Sequence, residues 1–244
     1  MSKAASAERR WKEIMRSILR QTIVTPNPES KPRKNAAWAL LTLAAALVLS
    51  GCAETGGIRV RDTARTFHTV IIDAGHGGHD PGTRSSRYMT EKDAALDIAI
   101  QLEKKMSAAG FHTVLTRKGD YFITLDDRVH MSNREDNAIF VSVHLNEARP
   151  RPDIHGVETY YISPQSTELA QRLLSHVASV PGETGRGIHI AHFHVLRLNA
   201  NPAVLVECGY FSNRGEAQRF ADPKYRDKIA QAIAEALIEQ RKGH

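Results

Sequence analysis

The chain has 244 residues and 41% hydrophobic content, which fits one globular domain with a short extension. Its formal charge of +6 invites a nucleic-acid reading, but the surplus is local. Residues 1–51 hold nine Lys/Arg against Glu8, Glu13 and Glu29, and the rest of the chain balances at 24 basic and 24 acidic residues, so no nucleic-acid partner is expected.

Ala36 to Leu49 is a charge-free apolar run, shorter than the roughly 20 residues that a membrane helix needs. Preceded by a positive region, it reads as an export signal. Leu49-Ser50-Gly51-Cys52 follows at once and resembles the lipobox of bacterial lipoproteins. That resemblance implies cleavage before Cys52, acylation of its thiol and a lipid bilayer as partner. By the same resemblance, Ala53 favours the outer membrane, so the domain is expected in the cell envelope, facing the periplasm. About thirty-five residues precede the apolar run, far more than such signals usually carry. Residues 8–20 read as a basic amphipathic helix with Trp11, Ile14, Met15, Ile18 and Leu19 on one side. An uncleaved N-terminal anchor is the alternative, and it also exports the domain. Residues 52–66, with Gly56 and Gly57 and no apolar period, read as a flexible tether. With Cys52 acylated, Cys208 has no partner, so no disulfide is expected.

Residues 67–244 alternate strand-like and helix-like stretches. Val70 to Ile72 forms a buried strand that opens into Asp73-Ala74-Gly75-His76-Gly77-Gly78-His79-Asp80-Pro81-Gly82, a turn rich in glycine, acid and imidazole. A helix begins at Thr90, with Asp93 at the capping-box position. It presents Ala95, Ile98, Ala99, Leu102, Met106 and Ala109 at helical spacing, and Gly110 stops it. A strand at 112–116, a helix at 125–133, a strand ending at His144 and a strand at 155–162 follow. Leu169, Ala170, Leu173 and Val177 mark a helix closed by Pro181-Gly182. A short strand is expected around 193–196, then an apolar strand from Pro202 to Cys208. Asp222-Pro223 opens the last helix, with Tyr225, Ile229, Ile233 and Leu237 on its core face. This order predicts an α/β fold: one three-layer domain with a twisted, mostly parallel or mixed sheet of about six strands flanked by helices.

Three strand ends carry His76, His144 and Glu207, and a helix start carries Glu91. In an α/β sheet such ends converge on one crevice, and two imidazoles with a carboxylate are a donor set for catalytic zinc. Each residue has a plainer reading. Glu91 suits the positive end of its helix, and His144 suits a hydrogen-bonded strand end. Glu207 is harder to dismiss, because an acid ending an apolar strand is costly to bury unless it is paired or near a metal.

Together, Asp73 to Gly78 through Gly82, Glu91-Lys92-Asp93, Ser142 to Asn146 and Val204 to Asn213 resemble the four signature blocks of the zinc-dependent N-acetylmuramoyl-L-alanine amidases of the amidase 3 type, over roughly residues 68–240. The resemblance implies one zinc ion on His76, Glu91 and His144, with Glu207 catalytic. It also implies a peptidoglycan substrate, cut at the amide between N-acetylmuramic acid and L-alanine. With zinc polarising the carbonyl, Glu207 would take a proton from the attacking water and return it to the alanine nitrogen. Asp73 is expected to orient His76, and Asn146 and Arg186 to lie at the second shell or the substrate cleft. Strand alternation turns Cys208 away from the crevice, so it reads as packing.

Leu145 and Glu147 stand where the family usually has small residues, and His189 replaces a lysine common after the Arg-Gly pair. Some periplasmic members carry a helical plug between the second histidine and that pair. The interval from His144 to Arg186 has room for one strand and one helix, so no obligatory activator is expected. Two other readings stand beside this one: a non-catalytic peptidoglycan-binding lipoprotein, and a zinc peptidase acting on stem peptides.

Overall fold

A computed structural model describes residues 58–84 and 88–243. The leader, the apolar run and Cys52 lie outside the described residues. In chain order the elements are β1 (Thr69–Ala74), α1 (Glu91–Ala108), β2 (His112–Leu115), α2 (Leu125–Asn133), β3 (Ala138–Asn146) and β4 (Val157–Tyr161). They continue with α3 (Thr167–Ala178), β5 (Gly185–Ile190), α4 (His194–Arg197), β6 (Ala203–Tyr210), α5 (Arg214–Ala221) and α6 (Pro223–Lys242). No helix among the described residues is long and apolar enough to cross a membrane.

The six strands form one sheet in the order β2-β1-β3-β6-β4-β5. Strands β2, β1, β3 and β6 run parallel, and β4 turns antiparallel against β6. The sheet is therefore mixed, with its carboxyl ends at β1, β3 and β6 side by side. Ile71 and Ile72, neighbours on β1, are both fully buried, because helices cover both faces. The larger core joins β1, β3 and β6 to α1, α3 and α6 through Ile72, Ile98, Leu102, Val141, Leu173, Val206 and Ile233. The smaller one packs Ile71, Phe140 and Leu205 against Val129 of α2 and Val195 and Leu196 of α4. Burying each such side chain contributes roughly 1.5–3 kcal/mol. Cys208 lies in the larger core, away from the crevice side of β6.

The structure departs from the sequence reading at several places. Residues 193–196 are not a strand: α4 occupies 194–197, and the strand is β5, earlier in the chain. A short apolar run does not separate a strand from a buried helical turn, and β5 is an edge strand whose Gly185 and Arg186 are exposed. Helix α5 was not anticipated; Asn213 caps it by accepting from the Gly215 and Glu216 amides. Thr90 precedes α1 without a side-chain cap and instead donates its hydroxyl to Asp93 at 2.5 Å. Ala109 is exposed, and Ala94 takes its place in the core.

Another concerns the end of the expected tether. Arg61 donates its amide to the Ala200 carbonyl (2.8 Å) and its guanidinium to Asn201 Oδ1 (3.0 Å) and the Glu135 carbonyl (3.2 Å). Thr63 donates to the Ala138 carbonyl at 2.7 Å, and the Ala64 carbonyl accepts from Gln240. Residues 61–66 are thus fastened to the domain at the amino ends of β3 and β6, the edge opposite the crevice. A period search misses this, because the segment is held by hydrogen bonds from Arg and Thr and not by an apolar stripe.

Candidate active site

His144 and Glu207 are direct partners across the β3–β6 ladder, so both side chains stand on one face at the carboxyl end of the sheet. His76 follows β1 with φ of +59°, a left-handed conformation rarely taken by residues with a Cβ and often found at functional sites. Glu91 is the first residue of α1 and is 3% exposed. The three donors meet: Glu91 Oε1 lies 3.0 Å from His76 Nε2 and 2.9 Å from His144 Nδ1. The carboxylate is fixed from behind by amides, Leu145 N to Oε1 at 3.0 Å and Thr83 N to Oε2 at 2.8 Å. Burial would push the Glu91 carboxyl up, but the imidazoles of His144 and His76 outweigh it and hold the acid well below the ordinary carboxylate range.

This donor set fits a single divalent ion. Donors about 2.0–2.1 Å from a shared tetrahedral ion lie roughly 3.3 Å apart, close to the separations seen. Two glycines make room for the rings: a Cβ on Gly75 would sit 2.4 Å from the His144 imidazole, and one on Gly82 would sit 2.5 Å from Glu91 Oε2. His76, Glu91 and His144 can therefore hold a metal.

Glu207 shares the same cleft, of about 650 Å³, with His76, Glu91, His144, Asn146, Phe122 and Phe193. Its Oε2 is buried and has no hydrogen-bond partner among the described residues. Burial, then the negative charges of Glu91 and Glu158, push its carboxyl well above the ordinary value. A cation among the three donors would pull it back down. A half-buried acid that is unpaired and tunable in this way can accept and return a proton.

The carboxylate that orients His76 is Asp80, not Asp73: His76 Nδ1 donates to Asp80 Oδ2 at 2.8 Å. Asp73 is buried below, accepting from Thr116 (2.8 Å), Ser142 (2.7 Å) and Arg128 (2.5 Å). It reaches His76 only through Arg128, which also donates to the His76 carbonyl. A neighbouring guanidinium, Arg117, is fully buried and holds the Ala74, Gly75 and Lys92 carbonyls. Arg186 does not line the cleft. It donates to Glu158 at 3.1 Å and stacks over Tyr210. Asn146 does line it, and its amide also donates to Glu158 at 3.0 Å. Glu158 faces Glu207 across the β4–β6 pair and accepts from Tyr160 (2.7 Å) and Tyr210 (3.0 Å) as well. The sequence signal for this hub was weak, an acid alternating with tyrosines on a strand.

Fold and pocket together define an α/β domain with a His–Glu–His set able to hold a metal at the carboxyl end of the sheet and a further carboxylate in the same cleft. Residues 70–239 match the family described as N-acetylmuramoyl-L-alanine amidase. The chain belongs to that family. It is 34% identical over 174 residues to the N-acetylmuramoyl-L-alanine amidase LytC of Bacillus subtilis, covering 70% of this chain but 35% of LytC. Against the solved N-acetylmuramoyl-L-alanine amidase from Clostridium difficile 630 it shows 36% identity and a TM-score of 0.68, covering 71% of this chain and 96% of that one. The CwlD amidase from Clostridioides difficile, solved in complex with the GerS lipoprotein, has 28% identity and a TM-score of 0.68, covering 72% of this chain and 100% of CwlD.

Proposed function

We propose that this protein hydrolyses the amide between N-acetylmuramic acid and L-alanine in peptidoglycan, with zinc held by His76, Glu91 and His144. The observation that carries the reading is the unpartnered Oε2 of Glu207 in the cleft of the three donors. Zinc, when bound, supplies a Lewis acid that polarises the amide carbonyl and makes water more acidic. Glu207 accepts a proton from the attacking water and delivers it to the departing alanine nitrogen. Asp80 keeps the proton on His76 Nδ1, leaving Nε2 free to ligate.

The location that goes with this activity is the cell envelope. The lipobox-like Leu49 to Cys52 supports an acylated anchor in the membrane, the outer membrane in particular, with the domain facing the periplasm. We also infer that no activator is needed. Between His144 and Arg186 the chain forms β4 and α3, and α3 packs its apolar face into the larger core. CwlD shows that a relative pairs with a lipoprotein, so this is tested directly below.

The test is digestion of purified sacculi by the full chain with zinc, with chelator, and with Glu207→Gln, followed by mass analysis of the products. An amidase releases peptides with a free L-alanine amine and leaves the glycan strands intact. Cuts within the stem peptide would favour a zinc peptidase, and sacculus binding without release would favour a non-catalytic wall-binding lipoprotein.

A further inference from the structure

Three of the six large apolar side chains exposed among the described residues line the cleft: Phe122 (42%), Leu125 (52%) and Phe193 (42%). Exposed apolar surface gathered at a cleft marks a contact site. These three come from the segment before α2, the first residue of α2, and the residue before α4. The two helix starts are joined by His194 Nε2 and Asp126 Oδ1 at 2.6 Å. Phe193 is braced by Tyr160 at 5.2 Å, and Phe122 by His79 at 4.3 Å. The Phe122 segment is pinned at both ends. Asp120 accepts from the Gly78 amide (2.8 Å) and pairs with Lys92 (2.6 Å), while Thr124 caps α2.

The opposite flank differs in kind. Asp80 and Thr83 from the loop after β1, with Asn146 and Glu147 at the end of β3, are polar, and Leu145 is the apolar residue among them. The basic side chains of the apolar flank are already engaged, Arg128 with Asp73 and His194 with Asp126. The scissile amide of peptidoglycan also has two unlike sides. One is an uncharged sugar whose pyranose faces present C–H groups, and the other is a peptide bearing carboxylates. An aromatic and aliphatic wall without a free cation suits the first and offers nothing to the second.

We propose that Phe122, Leu125 and Phe193 form the subsite for the glycan strand, so that the muramyl sugar lies on this wall. This rests on the amidase reading above. Two arms test it, both with the full chain and zinc. In the first, kcat/KM is compared on a disaccharide-peptide and on a lactyl-peptide lacking sugar. The Phe122→Ala/Phe193→Ala variant is expected to lower the ratio between them about tenfold, and Phe193→Trp is expected to retain it. In the second, a peptide-free GlcNAc–MurNAc tetrasaccharide is titrated into the Glu207→Gln protein, and the double alanine change on that background is expected to weaken binding by a similar factor.

Equal loss on both substrates, a loss that tracks the carboxylates of the stem, or self-association abolished by the double variant would each overturn the proposal. A chain that cleaves neither substrate but binds the tetrasaccharide through these residues refutes the activity and leaves the subsite standing. Cleavage with an unmoved ratio does the reverse, and neither cleavage nor binding refutes both.

Discussion

Arg128 Nη2 donates to the carbonyl of His76 at 2.6 Å, while Nη1 of the same guanidinium meets Asp73 Oδ1 at 2.5 Å. The left-handed backbone of a proposed metal ligand is thus held from behind by a buried ion pair, 3% and 1% exposed. Removing one partner of such a pair leaves an uncompensated charge. Arg128→Met should destabilise the protein by about 3–5 kcal/mol, read by denaturant unfolding, and adding Asp73→Asn should recover part of the loss. A single variant as stable as the parent would show that the pair does not restrain the His76 turn.

Asp80 acts on the ring of His76, not on its backbone. Asp80→Ala should weaken zinc binding about 10–100-fold, measured by competition with a chromophoric chelator. Asp80 is partly exposed, so the melting temperature without metal should barely move. Asp73→Ala should instead lower the melting temperature without metal, because its carboxylate pairs with Arg128 in the core.

If Glu207 moves the proton as proposed, Glu207→Gln should lower kcat about 10²–10⁴-fold while zinc still binds with near-parent affinity. The variant also keeps the side-chain shape. Loss of metal along with activity would instead make Glu207 a fourth ligand.

The parent chain, with zinc and no other protein, should release peptides from sacculi. Zinc should also raise its thermal midpoint, and His144→Ala should abolish the rise. A preparation that binds zinc yet stays inert until a second protein is added would refute the inference that no activator is needed.

A pH effect is expected far from the cleft. Burial, then neighbouring Glu216, pushes the Glu183 carboxyl from 4.5 up to about 8, despite its bond from the Tyr225 hydroxyl and the nearby Arg219. A raised folded-state value means that the folded protein holds this proton more tightly than the unfolded chain. The stabilisation is therefore complete below about pH 4.5 and is lost as pH rises through about 8. Glu183→Gln should flatten stability over that window, as followed by urea midpoints at several pH values.

The sheet was legible because β1, β3 and β6 are runs of apolar residues buried on both faces, interrupted near their carboxyl ends by Asp73, His144 and Glu207. The donor set was legible for the same reason, since His76, Glu91, His144 and Glu207 sit where strands end or a helix begins. What sequence periods could not supply was the path of the turn after β1. Gly77 and Asp80 pair with each other's backbone at 3.0 and 3.1 Å, which folds Asp80 back onto the His76 ring. Asp73, nearer in sequence to the strand, points into the core instead. Edge strand β5 was missed because its glycine-rich residues bury no apolar face, and α4 was misplaced because four residues display no period. Phe122 and Phe193 escaped notice because an exposed aromatic in a loop has no pattern until the loops meet.

The Arg61 and Thr63 contacts fasten the chain at the amino ends of β3 and β6. The amino-terminal end of the described domain is therefore held at its base, while catalysis is proposed at its mouth. Grafting an affinity handle, a bead or a synthetic fatty acid onto that end should leave digestion of an insoluble polymer unhindered.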